Sequence, residues 1–381
     1  SACVRSEADR SHVTAGTMLE KAVFGSRKFR DVLDAVRELM VRSEFTAVEW
    51  DREPPAIDWG FALLYASAVT SVQSERSQSA VLRIATACIL ASDAEEAHKA
   101  AAAALLERCG NHMAVELAES RDRLSSEAWR CLPAALRLEV IRSRIAYSVR
   151  LSDESLLAVN PFQSKFWEAV RINDWLSVSA PTSAGKSRII REYFLENARR
   201  AGPFTLAYLV PTRALIEEVS RDLRRELPSD VGVFTMPWDP DLKESSKTVL
   251  VVTQERLHLV LELIPSLTVN LLFVDEAQSL ASDARGILLQ YAIERTIRRS
   301  PKAQVLFASP LTSNPELFVE NAPPDQHSDS FVSETVTVNQ NLLWVENISR
   351  KPERRAVFLV SGEDKHRVGE LVLAQRATKV P

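Results

Sequence analysis

Between residue 151 and about residue 322, short apolar runs alternate with longer amphipathic stretches, and this alternation constrains the fold more than any other feature of the chain. The runs at 176–179, 205–210, 231–234, 248–252, 270–274 and 304–308 are short and mostly apolar, as strands buried on both faces are. The stretches at 186–200, 213–227, 254–264 and 285–299 carry the three-to-four spacing of helices. Strands that alternate with helices imply a mainly parallel sheet with helices on its faces.

Upstream the texture differs. From Lys28 to about Arg150 apolar residues recur at helical spacing, as in Phe29, Val32, Leu33, Val36, Leu39 and Met40, and 97–106 is almost entirely helix-forming. Pro54-Pro55, Gly110 and Pro133 mark interruptions. The chain therefore reads as multidomain, with an all-α domain over 1–150 followed by an α/β domain over 151–322. Pro323-Pro324-Asp325-Gln326 reads as a linker into the start of a further domain over 323–381, with strands at 342–345 and 356–360 and a helix at 364–375.

Lysine and arginine number 47 against 51 acidic residues, so whole-chain charge gives no argument for nucleic acid, and any such surface must be local. No apolar run approaches the ~18 residues of a membrane span, and residues 1–16 contain charges without a signal core. The expectation is a soluble intracellular protein with no membrane partner, cytoplasmic with a nuclear location open. Cys3, Cys88, Cys109 and Cys131 lie far apart without a CxxC pair, as reduced thiols do. Cys109 and His112 have ligand-like spacing, but Gly110-Asn111 between them reads as a helix stop rather than part of a metal site. The chain starts at serine and ends at Pro381 straight after the helical pattern, so it reads as part of a longer protein.

The chemistry concentrates in two elements. Ala180-Pro181-Thr182-Ser183-Ala184-Gly185-Lys186-Ser187 lies where the 176–179 strand hands over to a helix. There the backbone N–H groups of Ser183 to Lys186 and the Lys186 ammonium can surround phosphate oxygens, with Thr182 alongside, and the Ser187 hydroxyl can ligate Mg²⁺. Ala180 stands where the strict phosphate-loop pattern has glycine. Downstream, Val274-Asp275-Glu276-Ala277-Gln278 ends the 270–274 strand. Asp275 is positioned to complete a Mg²⁺ shell, and Glu276 to orient or deprotonate an attacking water. Together these elements describe binding and hydrolysis of a nucleoside triphosphate such as ATP, with Mg²⁺ as cofactor.

With its Asp-Glu-Ala-Gln element and further motifs in order, the region from about 156 to 320 resembles the DExD/H helicases of superfamily two. The resemblance implies a RecA-like nucleotide-binding lobe. It assigns Gln163, in Asn160-Pro161-Phe162-Gln163, to the adenine base, and Gln278 to the nucleotide side. Pro211-Thr212-Arg213-Ala214-Leu215 looks like the element that touches the nucleic-acid backbone, a role suited to Thr212 and Arg213 because phosphate accepts from a hydroxyl or guanidinium whatever the base. Thr253-Gln254-Glu255-Arg256 is similar to the family's second backbone contact, through Thr253 and Arg256, although Thr253 also suits an ordinary helix cap. Ser309, in Ser309-Pro310-Leu311-Thr312, sits where the family couples hydrolysis to strand movement. Arg285-Gly286 and Ser313-Asn314-Pro315-Glu316 point to the large processive DNA and RNA unwinding branch.

Three departures stand out. Ser183 replaces a usual glycine, which costs about 1 kcal/mol if that residue needs φ > 0. Leu311 replaces a threonine, and no second arginine-bearing motor element follows, since Gln375-Arg376 is not one. The implied function is an ATP-dependent helicase or translocase on DNA or RNA, with the isolated fragment weak or inactive as an ATPase. The alternative is an ATP-binding scaffold for nucleic acid or a partner that does not unwind. A small-molecule kinase with the same loop needs neither the Pro211 nor the Thr253 element. The helical domain has three open roles: gripping a strand, docking a protein partner such as a nuclease, or buttressing the lobe.

Overall fold

The computed structural model describes residues 16–72, 74–125, 127–200, 202–243, 245–278, 283–310, 312–333, 338–349, 351–362 and 364–373, without side-chain detail at 243 and 283–285. The chain divides into two compact units: one runs to Tyr147 and resumes at Val336, and the other is Ser148–Thr335. No described helix is long and apolar enough to cross a membrane.

The first unit is a helical assembly with a small sheet. Helix Arg27–Glu44 buries Phe29, Leu33 and Val36, the stripe its spacing requires. Helix Glu96–Arg108 buries Ala100 and Ala102–Leu106, and its small side chains let neighbouring helices approach closely. Inside this packing Glu107 is fully buried. Its carboxylate accepts from Arg144 Nε at 2.9 Å and bonds His112 Nδ1, while its carbonyl accepts from the Ser143 hydroxyl at 2.6 Å. This bond occupies one ring nitrogen of the Cys109/His112 pair.

Burial alone would raise the Glu107 pKa, but the His112 and Arg144 hydrogen bonds outweigh it and hold the group below the usual carboxylate range. A folded-state pKa below the unfolded one adds stability above the unfolded value, and that stability is lost as pH falls through the folded value. Glu107→Ala is therefore expected to cost about 3–5 kcal/mol in urea unfolding at neutral pH, since it leaves buried partners unpaired. The loss should shrink in acid.

Strand Val48–Trp50 pairs antiparallel with Asp364–Val372, which pairs with Lys351–Ser361, which pairs with Leu342–Ile348. Residues 364–372 are thus a strand, not the helix expected over 364–375; 374 and 375 lie outside the described residues. Val368, Leu371 and Val372 satisfy a three-to-four spacing, but Val368 and Leu371 pack into the sheet's own small core. Gly369 permits the pairing, because a Cβ there would overlap the Glu49 backbone carbonyl.

The second unit is built on a seven-stranded, wholly parallel sheet in the order Ser328–Val332, Trp175–Ser179, Gln304–Ser309, Leu271–Val274, Phe204–Leu209, Lys247–Val252, Gly232–Phe234. All residues of Trp175–Ser179 and Leu271–Val274 are buried, which explains the apolar run of the second and leaves Ser177 and Ser179 as buried hydroxyls in the first. On one face, helices Pro161–Ile172, Lys186–Arg199 and Arg213–Glu226 pack Phe166, Ile189, Phe194 and Leu223 onto Leu176, Tyr208 and Phe273. On the other, Gln254–Leu263 and Asp283–Arg299 pack Leu257, Leu261, Leu289 and Ile293 onto Leu209, Leu272 and Phe307.

The seventh strand, Ser328–Val332, lies beyond the stretch read as a linker and was not visible as an apolar run. It is an edge strand with three of its five residues exposed, so the hydrophobic signal is weak. Because all strands run the same way, the loops after them emerge together at the carboxyl edge of the sheet.

Candidate functional site

The phosphate-loop candidate follows Trp175–Ser179 as a 3₁₀ turn, Thr182–Ala184, then Gly185 at φ +82°, then helix Lys186–Arg199. The left-handed residue is Gly185; Ser183 does not have positive φ and carries no such strain. Gly185 gives its helix no capping side chain, so the first-turn N–H groups are directed at whatever lies before the helix. Lys186 is 6% exposed, and its Nζ donates to the Ala180 carbonyl at 2.6 Å and the Pro181 carbonyl at 3.1 Å. Burial pushes the ammonium pKa down, opposed by the charges of Asp275 and Glu276. Thr182, Ser183 and Ser187 are exposed and Ala184 is buried.

Gln163 is buried over this loop. It forms a reciprocal capping box with Asn160, in which its Oε1 accepts from Asn160 N at 3.0 Å and its backbone N–H donates to Asn160 Oδ1 at 2.7 Å. Its Nε2 donates to the Gly185 carbonyl at 3.4 Å, and Asn160 Nδ2 donates to the Ala184 carbonyl at 3.2 Å. Both ends of the amide are therefore occupied at the start of helix Pro161–Ile172 and at the loop. A Cβ at Gly185 would overlap the Gln163 amide, in addition to straining the backbone. Gly185→Ala is thus expected to cost at least about 1–2 kcal/mol in stability and to weaken nucleotide binding, measured by thermal melting and fluorescent-nucleotide titration.

The carboxylates follow Leu271–Val274. Tyr208 donates its hydroxyl to Asp275 Oδ2 at 3.1 Å, and the Glu276 N–H donates to Asp275 Oδ1 at 3.0 Å. Burial raises the Asp275 pKa, while the Tyr208 and Glu276 N–H hydrogen bonds and the Lys186 charge oppose that rise. Glu276 sits at φ +52°, an uncommon backbone region for a non-glycine residue and one that recurs where geometry is imposed by function. Its Oε2 accepts from Gln278 Nε2, and Gln278 Oε1 is buried without a partner among the described residues.

Ser309 is 1% exposed, and its carbonyl accepts from Ala180 N at 3.1 Å, joining the coupling candidate to the start of the phosphate loop. Its hydroxyl has no partner among the described residues. The neighbouring Ser179 belongs to no sequence motif. Its hydroxyl donates toward the carbonyls of Pro310 and Thr312, each at 3.2 Å, and accepts from Thr312 N at 2.6 Å. The available signal was a hydroxyl inside a fully buried strand. Leu311 lies outside the described residues.

Further along the same edge, register pairs Leu209 with Val252, which places Pro211–Arg213 beside Thr253–Arg256. Thr212 and Arg213 are exposed at the start of helix Arg213–Glu226. Thr253 is buried at the start of Gln254–Leu263 without a side-chain cap bond, and Arg256 donates to the Thr235 carbonyl at 2.6 Å. Arg213 is thus exposed at the sheet edge, and Arg256 braces the adjoining loop.

Residues 160–315 match the model of the DEAD/DEAH box helicase family. The chain is 27% identical over 166 residues to the DExH-box ATP-dependent RNA helicase DExH14 of Arabidopsis thaliana, covering 39% of this chain and 8% of that protein. It is 29% identical over 173 residues to activating signal cointegrator 1 complex subunit 3 of Homo sapiens, covering 41% of this chain and again 8% of the relative. Among solved structures it is similar to the Mycobacterium smegmatis helicase Lhr bound to ssDNA and AMP-PNP, at 24% identity and TM-score 0.38 over 46% of this chain and 26% of that one. The Pyrococcus furiosus Hef helicase domain matches at 20% identity and TM-score 0.34, over 45% of this chain and 38% of that one. The family match begins at the Asn160 cap and runs past Ser309, spanning the loops gathered at the carboxyl edge of the parallel sheet. Residues 160–315 are a DEAD/DEAH box helicase domain with the architecture of a RecA-like lobe.

Proposed function

We propose that the chain is part of an ATP-driven motor that moves on or unwinds DNA or RNA. The observation that carries this reading is the order of loops along one sheet edge. The loop ending in Lys186 and the Asp275–Gln278 segment lie on one stretch, and Pro211–Arg213 with Thr253–Arg256 lies on the next. A nucleotide and a polyanionic strand can then be held by one rigid sheet.

The donor set fits Mg²⁺ and a triphosphate. The first turn of helix Lys186–Arg199 presents N–H groups, Lys186 supplies a cation beside them, and Ser187 and Asp275 are hard oxygen donors suited to Mg²⁺. When bound, Mg²⁺ neutralises charge on the phosphates and ATP supplies the phosphoryl group to be transferred. Lys186 exchanges its carbonyl partners for phosphate oxygens, and Glu276, its carboxylate steadied by Gln278, holds and accepts a proton from the attacking water. Thr212, Arg213, Thr253 and Arg256 grip the strand through its phosphates, independent of sequence.

The test is ATP turnover and strand displacement by the protein at its full natural length. Turnover stimulated by single-stranded nucleic acid together with ATP-dependent displacement is expected. Stimulation by nucleic acid without displacement would instead favour a scaffold that binds ATP and nucleic acid, and nucleotide binding that ignores nucleic acid would remove the reading.

A further inference from the structure

We propose that Tyr208 is a positioning residue for the cation of the nucleotide site, holding the Asp275 carboxylate in place through its phenolic hydroxyl. This rests on the reading of Asp275 and Ser187 as the Mg²⁺ side of that site.

Tyr208 lies on the interior strand Phe204–Leu209, where sequence reasoning treats it as one more apolar-run residue. It is 1% exposed, and a phenol at such depth must find a hydrogen-bond partner. That partner is Asp275 Oδ2, at 3.1 Å on the adjacent strand.

The ring cannot swing away. Phe273 meets it edge-on with centroids 4.8 Å apart and Phe194 does so at 5.8 Å, both near-perpendicular. Asp275 is in turn held at both oxygens, by Tyr208 at one and by the Glu276 N–H at the other. A carboxylate that retains one rotamer loses less entropy when it engages a cation or its water shell. Tyr208 acts through Asp275.

Tyr208→Phe removes the hydroxyl and keeps the ring with its aromatic packing, so the variant is expected to fold. Two titrations read the effect. Fluorescent ATP analogue binding in EDTA reports the nucleotide without metal, and Mn²⁺ binding in the presence of that analogue, followed by electron paramagnetic resonance, reports the cation site directly. The expected result is unchanged metal-free nucleotide affinity and about tenfold weaker Mn²⁺ affinity, the size of a lost hydrogen bond to a charged group. In an Asp275→Asn background the same substitution should have little further effect, because the route runs through that carboxylate.

Unchanged Mn²⁺ affinity in Tyr208→Phe would overturn the proposal. So would equal weakening with and without metal, which is the mark of a purely structural tyrosine. The unmodified chain separates the two levels of argument: if it binds the nucleotide but shows no cation dependence, the Mg²⁺ assignment itself fails and this inference fails with it.

Discussion

Lys186→Ala is expected to abolish useful nucleotide binding, with affinity falling several hundredfold in a fluorescent-nucleotide titration. Lys186 is almost fully buried, so its ammonium acts where water screens little, and its carbonyl contacts show that it is held at the mouth of the loop. Removing one member of a buried, hydrogen-bonded charge pair costs about 2–5 kcal/mol of binding free energy, which brackets that factor. The Ala180 and Pro181 carbonyls lose their donor as well, so a melting curve should accompany the titration to show that the lobe remains folded. An affinity within twofold of the unsubstituted chain would mean that the Gly185-Lys186-Ser187 loop is not a phosphate site.

Glu276→Gln should separate binding from chemistry. The substitution keeps the shape of the side chain and leaves Lys186, Ser187 and Asp275 in place, so nucleotide affinity is expected to change less than about threefold, well under one strong hydrogen bond. An amide cannot accept the proton of the attacking water, and turnover by the protein at full length should drop by roughly 10²–10⁴-fold, the usual contribution of a general base. The left-handed backbone at this position belongs to the turn itself and is unaffected by the change. Turnover that survives at the original rate would transfer the role of base to another group.

Much of the lobe was legible because its signals are local. A strand buried on both faces is apolar except where a buried polar side chain finds a partner, and Leu271–Val274 is apolar throughout while Trp175–Ser179 departs only at its two serines. The helix that begins at Lys186 is written in its own apolar spacing, whereas the left-handed residue is Gly185 rather than Ser183, where the sequence raised it. The parts that were not legible depend on partners far away in sequence. The pattern of 364–372 fits helix or strand equally, and the choice falls to strands Lys351–Ser361 and Val48–Trp50 on its two sides. Ser328–Val332 has too little apolar character to announce itself and is a strand because Trp175–Ser179 offers it an edge.

The candidate site divides in the same way. Lys186, Asp275 and Glu276 could be picked out by residue type and spacing, while Ser179 and Tyr208 could not, because a single hydroxyl in an apolar run has no meaning until its acceptor is known. Gln163 shows the opposite limit: the sequence supplied a family role, and the structure adds that both ends of its amide are already engaged with Asn160 and Gly185.

By itself, then, the sequence determined an α/β lobe with a candidate phosphate loop and an acidic strand end, since hydrophobic periodicity and turn residues act over a few positions. Only the tertiary structure decided which hydroxyl bonds Asp275, which one bonds Thr312 N, and that the chain returns after the lobe to pair with Val48–Trp50. Those contacts follow from the register of strands 60 or more residues apart, for example Leu209 opposite Val274, and from the need of each buried polar group for a partner at hydrogen-bond distance.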